Sequence, residues 1–182
     1  MPVTREESLQ SASANFPEPD FSGTIRKDAQ TASIIAGSVN MPRLFVVKGR
    51  PGSGKGKTVR QVYKKLLATF PDAKNKLCQR SADRRDICAV LKIDGTMIGI
   101  ESNNHPKART ERSLKLFLTK RCDVIVCATL TRGSTVEAVK NRFAEREITW
   151  LHLPKPASMS KREKACRAKA DEIFHEVCAI VK

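Results

Sequence analysis

Leu44–Thr58 reads LFVVKGRPGSGKGKT, and the fold follows from how this stretch is read. Residues 44–47 are apolar and end in two valines, a run of strand type and length. The run stops at Gly49, Pro51, Gly52 and Gly54, which make the chain turn sharply, and helical periodicity begins directly after the turn. Glycines there let backbone N–H groups point inward with no Cβ in the way. The start of the following helix adds a partial positive charge at the same spot. The stretch therefore predicts a buried strand, an anion-binding loop and a helix, with Lys55 placed to neutralise the anion.

The pattern G-x-x-x-x-G-K followed by Ser or Thr is met from Gly49 through Gly54 and Lys55, but position 56 is glycine. A second frame ending Gly56, Lys57, Thr58 would need glycine where Pro51 stands. GRPGSGKGKT resembles the loop of adenylate kinases and related nucleoside monophosphate kinases, whose pattern is GxPGxGKG followed by Thr. Here Lys57 intervenes before Thr58. The resemblance covers about ten residues, lies within the wider P-loop NTPase superfamily, and implies an ATP site. Gly49, Gly52, Ser53, Gly54, Lys55, Gly56, Lys57 and Thr58 would hold the nucleotide phosphates, and Thr58 or water would complete magnesium binding. Two parts of the adenylate kinase pattern are missing from the sequence: the arginine-rich lid and the Gly-Phe-Pro-Arg segment that cradles the acceptor monophosphate.

A chain of 182 residues has room for one domain with a sizeable core. No apolar run approaches a membrane span and the N-terminus carries no signal pattern, so a cytoplasmic protein with no membrane partner is expected. Six scattered cysteines, without CxxC pairs, read as reduced core residues. The net charge of +15 admits nucleic acid as a further candidate partner, through counterion release, and equally a site for polyanionic nucleotides. Aromatic residues make up only 5% of the chain, which weakens a model based on base stacking.

Residues 1–40 are set apart by composition. Five acids against three bases give them a net charge of −2, leaving +17 for the rest, and Ser, Ala, Thr, Pro and Gly dominate. They read as a flexible acidic arm, with Thr4 and Glu7 able to cap a short helix, preceding a P-loop NTPase-like domain over residues 41–182. The sharper reading of the arm lays it over the basic site or swaps it to a partner.

Beyond the loop, a helix is expected from Gly56 to about Phe70, then a polar connection over residues 72–85. Ile87–Ile93 and Met97–Ile100 flank Asp94-Gly95, a hairpin signal. Only the second strand can run parallel to residues 44–47, because a crossover helix follows it. That places Glu101 at the carboxyl end of the sheet, where ligands of open α/β sheets bind, and Asp94 at the opposite end. Glu101 is thus the candidate for ordering magnesium or activating the attacking group; its other reading is a surface acid. Ser102, Asn103, Asn104 and His105 form a polar turn beside it. A helix from about Pro106 to Arg121 buries Leu114, Phe117 and Leu118 and exposes Lys107, Arg109, Arg112 and Lys120.

Asp123–Thr129 reads as a central strand, and LTRGST after it caps a helix from Val136 to about Arg146. Arg132 is the candidate for a second phosphate or for charge developing on the transferred group, against the alternative of ordinary capping beside an exposed arginine. Ile148–Leu153 is a further strand, and a last helix from Ser160 to Val181 buries Cys166, Ala170, Ile173, Phe174, Val177 and Val181. Lys155–Ser158, between these two, would contact the base if the kinase resemblance extended there.

This order predicts an α/β three-layer sandwich with a mostly parallel sheet, helices on both faces and one antiparallel hairpin. The function implied is that of an ATP- and Mg²⁺-dependent kinase-like phosphotransferase acting on a nucleotide or other small phosphorylated acceptor, with Lys55, Glu101 and Arg132 as catalytic candidates. Two alternatives stand beside it. One is a P-loop ATPase that binds nucleic acid or a protein partner and uses hydrolysis as a switch; the other is a nucleotide-binding protein with little turnover.

Overall fold

Alternate residues of Arg43–Lys48 (β1) enter different cores: Phe45 and Val47 join one buried cluster, Leu44 and Val46 the other. A strand covered on both sides must be apolar throughout, which is why residues 44–47 carry no polar side chain. The computed structural model describes residues 41–80, 86–102 and 107–181. The acidic arm and the turn residues Asn103, Asn104 and His105 lie outside them.

The described residues are α/β, with four helices and one six-stranded mixed sheet. After β1 come α1 (Lys55–Thr69), β2 (Lys74–Arg80), β3 (Ile87–Ile93), β4 (Thr96–Glu101), α2 (Lys107–Thr119), β5 (Val124–Thr129), α3 (Ser134–Lys140), β6 (Ile148–His152) and α4 (Met159–Ile180). The sheet order is β2-β3-β4-β5-β1-β6. Strands β4, β5, β1 and β6 pair in parallel, and β2-β3 and β3-β4 are antiparallel. Helices α1 and α4 close the cluster containing Phe45 and Val47; α2 and α3 close the one containing Leu44 and Val46.

The Asp94-Gly95 turn is as expected. Both residues have positive φ, 46° and 89°, the requirement of a two-residue hairpin turn. Central placement of β5 also agrees, since it pairs with β1 on one side and β4 on the other.

Two expectations need correction. Residues 74–80 form a strand where a connection was expected, so the sheet carries a second antiparallel pairing besides the hairpin. KNKLCQR hides its strand character because β2 is the sheet edge, where lysines are favoured and little is buried. Only Leu77 packs against a core, while Tyr63 of α1 anchors the strand through Asn75 and Cys78. Helix α3 also ends at Lys140 and does not run on to Arg146. Phe143 turns into the core instead, and a single 3-10 turn at Glu145–Glu147 follows, held by Glu147 on the Ala144 amide and by Trp150 on Glu145.

Candidate functional site

The turn after β1 doubles back on itself. The Ser53 amide donates to the Arg50 carbonyl at 3.2 Å, and the Lys55 ammonium donates to the same oxygen at 3.0 Å. Gly52 and Gly54 have φ of 75° and 101°, and a side chain at Gly54 would be strained there. Gly49 answers a different constraint. A Cβ on it would lie 2.6 Å from both the Leu153 carbonyl and Ser53 Oγ, because the chain leaving β6 crosses directly behind the loop. Lys55 opens α1 and is only 5% exposed, and burial lowers its pKa from the usual 10.5. Ser53 is fully buried, and among the described residues its Oγ has no hydrogen-bond partner. A buried ammonium, an orphaned hydroxyl and the free amides of a helix start converge on the loop, a donor set that fits phosphate oxygens.

Helix α4 forms the back of this loop, a feature with no local sequence signal. Ser158 caps it, accepting from the Lys161 amide. One turn in, Arg162 Nη1 donates to the Gly52 carbonyl at 3.0 Å, and Cys166 Sγ lies 3.6 Å from the Gly54 carbonyl. Lys155 also reaches the loop; its Cε would stand 3.8 Å from a Cβ on Gly52. Lys57, expected among the phosphate ligands, pairs with Glu163 of α4, whose carboxyl that hydrogen bond holds below its usual range. The lysine that interrupts the kinase-like pattern is thus engaged in helix–helix packing.

The topology opens a crevice beside the loop. β1 sends its connection to α1 on one side of the sheet, while the adjacent β5 sends its own to α3 on the other. Ligands of open α/β sheets bind where such loops part. A cavity of about 680 Å³ lies there, lined by Arg50, Pro51, Leu130, Thr131, Arg132 and His152. Arg132 is therefore brought together with the phosphate loop, and Arg50 and His152 join it. Neither had been singled out, since their positions depend on which strands neighbour β1.

Glu101 lies elsewhere. It sits at the end of β4, two strands from β1, is 1% exposed, and accepts a 2.5 Å hydrogen bond from Ser113 of α2. Arg109 of α2 stands 4.0 Å from its other oxygen. Desolvation and then the Glu101 charge push the Cys88 thiol up to about 12, so the carboxylate's neighbours include a protonated sulfur. The backbone directly after it approaches the loop: the Ser102 carbonyl would be 2.9 Å from a Cβ on Gly56.

The two expected metal ligands are thus both engaged inside the protein. Thr58 is fully buried, and its Oγ1 turns back to the Gly54 carbonyl at 3.3 Å. Glu101 faces α2, for the physical reason that the residues sharing its parity on β3 and β5, Cys88 and Cys127, pack on that side. Thr129 ends β5 in register with Lys48, where a magnesium-ordering acid would be looked for; it is buried, with an unpartnered Oγ1. Among the described residues no three His, Cys, Asp or Glu side chains gather to hold a metal. The loop fits phosphates; Thr58 and Glu101 as placed do not fit a directly ligated magnesium. Also among the described residues, no helix is long and apolar enough to cross a membrane. Compared with protein-family models, curated proteins and solved structures, the chain matches none.

Proposed function

We propose that the chain is a P-loop NTPase-like protein, a three-layer sandwich that binds ATP at the β1–α1 turn and transfers its terminal phosphoryl group to a small phosphorylated acceptor. The observation that carries this reading is the buried Lys55 ammonium, held 3.0 Å from the Arg50 carbonyl at the start of α1, next to a crevice flanked by a second arginine. The loop amides and Lys55 hold the β and γ phosphates. In the crevice, Arg132 and Arg50 hold the acceptor's phosphate, their planar donors matching its oxygens.

In the transfer, an acceptor oxygen bonds to the γ phosphorus as the bond to the β–γ bridging oxygen breaks, and ADP leaves with that electron pair. Charge develops on the moving phosphoryl group between Lys55 and Arg132. Lining the crevice among the described residues are arginines, a histidine and hydroxyl-bearing or apolar residues, and no carboxylate. An acceptor whose attacking atom is already an oxyanion, such as a phosphate, needs no base; an alcohol would need one, and His152 is the group in the crevice able to serve. The paired arginines favour a phosphorylated acceptor.

The test incubates γ-labelled ATP with a panel of nucleotides, sugar phosphates and oligonucleotides, with Lys55→Ala as control. Label on a small phosphorylated acceptor, lost in Lys55→Ala, is the expected result. Free phosphate released only in the presence of DNA or RNA, with no labelled acceptor, overturns the transferase reading in favour of a nucleic-acid-dependent ATPase.

A further inference from the structure

The surface formed by α1 and α4 carries a charge arrangement that a nucleotide site does not need. The ion pairs Lys57–Glu163 and Lys65–Asp171 join residues separated by the same offset, so the two helices run side by side in parallel, both starting at the phosphate loop. Lys55, Lys57, Arg60, Lys64 and Lys65 give α1 five cations and no acid. The half of α4 nearest the loop, residues 159–170, carries five more against the single acid Glu163; Asp171, Glu172 and Glu176 all fall in the distal half. The helix pair is therefore polarised, with its cationic end at the loop.

Along α4, Lys161, Lys164 and Arg167 follow one another at three-residue spacing and are all exposed. At about 1.5 Å of rise per residue they form a ridge roughly 9 Å long. Among the described residues none of the three is ion-paired, whereas Glu163, Asp171 and Glu172 are taken by Lys57, Lys65 and Lys169. Glu163, shared with Lys57, is the acid that acts on this row, at Arg167, and a row so little neutralised costs self-repulsion unless a polyanion covers it. The large apolar side chains exposed among the described residues are Met41 and Met159. A membrane-seated helix needs a continuous apolar flank, and this ridge has none.

We propose that the α1–α4 face next to the phosphate loop docks the phosphodiester backbone of a nucleic acid, with Lys161, Lys164 and Arg167 as its principal contacts. The proposal goes beyond the nucleotide reading and does not require it. Binding through phosphates makes affinity independent of sequence and steeply dependent on salt.

The test measures fluorescence anisotropy of labelled 20-mer DNA and RNA, single-stranded and duplex, against potassium chloride concentration. The full chain is compared with Lys161→Gln/Lys164→Gln/Arg167→Gln. Removing three phosphate contacts is expected to reduce the log–log salt slope by about 2.7 for duplex and about 2.1 for single strands, and to weaken binding on the order of 10²-fold at 0.1 M salt. Thermal melting checks that the variant folds. A fluorescent ATP analogue separates the two readings: the triple variant should bind it as wild type does, while Lys55→Ala should lose it and keep the oligonucleotide. Unchanged oligonucleotide affinity and slope in the triple variant overturn the proposal, as does binding to phosphatidylserine vesicles with none to oligonucleotides.

Discussion

Gly54→Ala perturbs the joint between the β1–α1 loop and α4 at one atom. The residue has φ 101°, and its Cβ would lie 2.3 Å from Cys166 Sγ, well inside contact distance. Two costs follow. The left-handed backbone disfavours alanine by about 1–2 kcal/mol. Forcing a methyl into the packed joint costs about 1–3 kcal/mol more. The expected loss is thus about 2–5 kcal/mol, a large share of a domain's total stability. Cys166→Ala separates the two, since it removes the sulfur and leaves the backbone strain. Urea unfolding of the four proteins in the cycle should give a coupling of about 1–3 kcal/mol, with the double variant more stable than the sum of the single losses allows. Additive losses would show that Cys166 is not what confines Gly54, and the packing of α4 against the loop would have to be redrawn.

Burial lowers the Lys55 pKa below 10.5, so at neutral pH the folded protein bears the cost of a desolvated ammonium, and that cost is lost as pH rises from the lowered value to 10.5. Nucleotide affinity runs the opposite way, because phosphate needs the ammonium: it should fall with rising pH at a value below 10.5, and a profile flat up to that pH in an equilibrium binding titration contradicts the placement. Glu101→Gln should cost about 1–3 kcal/mol in urea unfolding through its charge-assisted bond to Ser113, while nucleotide affinity stays near wild type; lost turnover with unchanged stability would return Glu101 to the mechanism. Lys57→Gln should leave nucleotide affinity within roughly threefold of wild type by calorimetry, since its exposed partner is Glu163; a loss as large as that of Lys55→Ala would make it a phosphate ligand.

Strong local patterns carried most of the architecture. The valine-rich β1, the Asp94-Gly95 turn and the long periodic α4 announce themselves because each is decided by residues close in sequence. Edge strand β2 does not, since a strand with little buried surface need not be apolar. The same division runs through the site. The loop glycines and Lys55 are a local motif. Placing Glu101 at the carboxyl end of β4 was within reach, but its facing was not, since that depends on which helix covers which side of the sheet. Arg162, Arg50 and His152 gather at the loop only through the order β5-β1-β6, and that order is long-range information.

The interrupted motif and the basic helix pair are connected physically. Lys57 would add a further cation to a loop already served by Lys55, Arg162 and Lys155, and unrelieved repulsion there would oppose folding. Glu163, one turn into α4, takes that charge up across the exposed seam with the first turn of α1. Glu163 is also the only acid in the loop-proximal half of α4, and its carboxylate is shared among Lys57, Arg167 and Arg162, so Lys161 and Lys164 have no acid of their own on that half. Lys57 therefore meets α4 behind the β1–α1 loop and at the same time draws on the carboxylate nearest the ridge. Without a cation at position 57 the Glu163 carboxylate would be shared by Arg162 and Arg167 alone, and the ridge would lose part of its attraction for a polyanion.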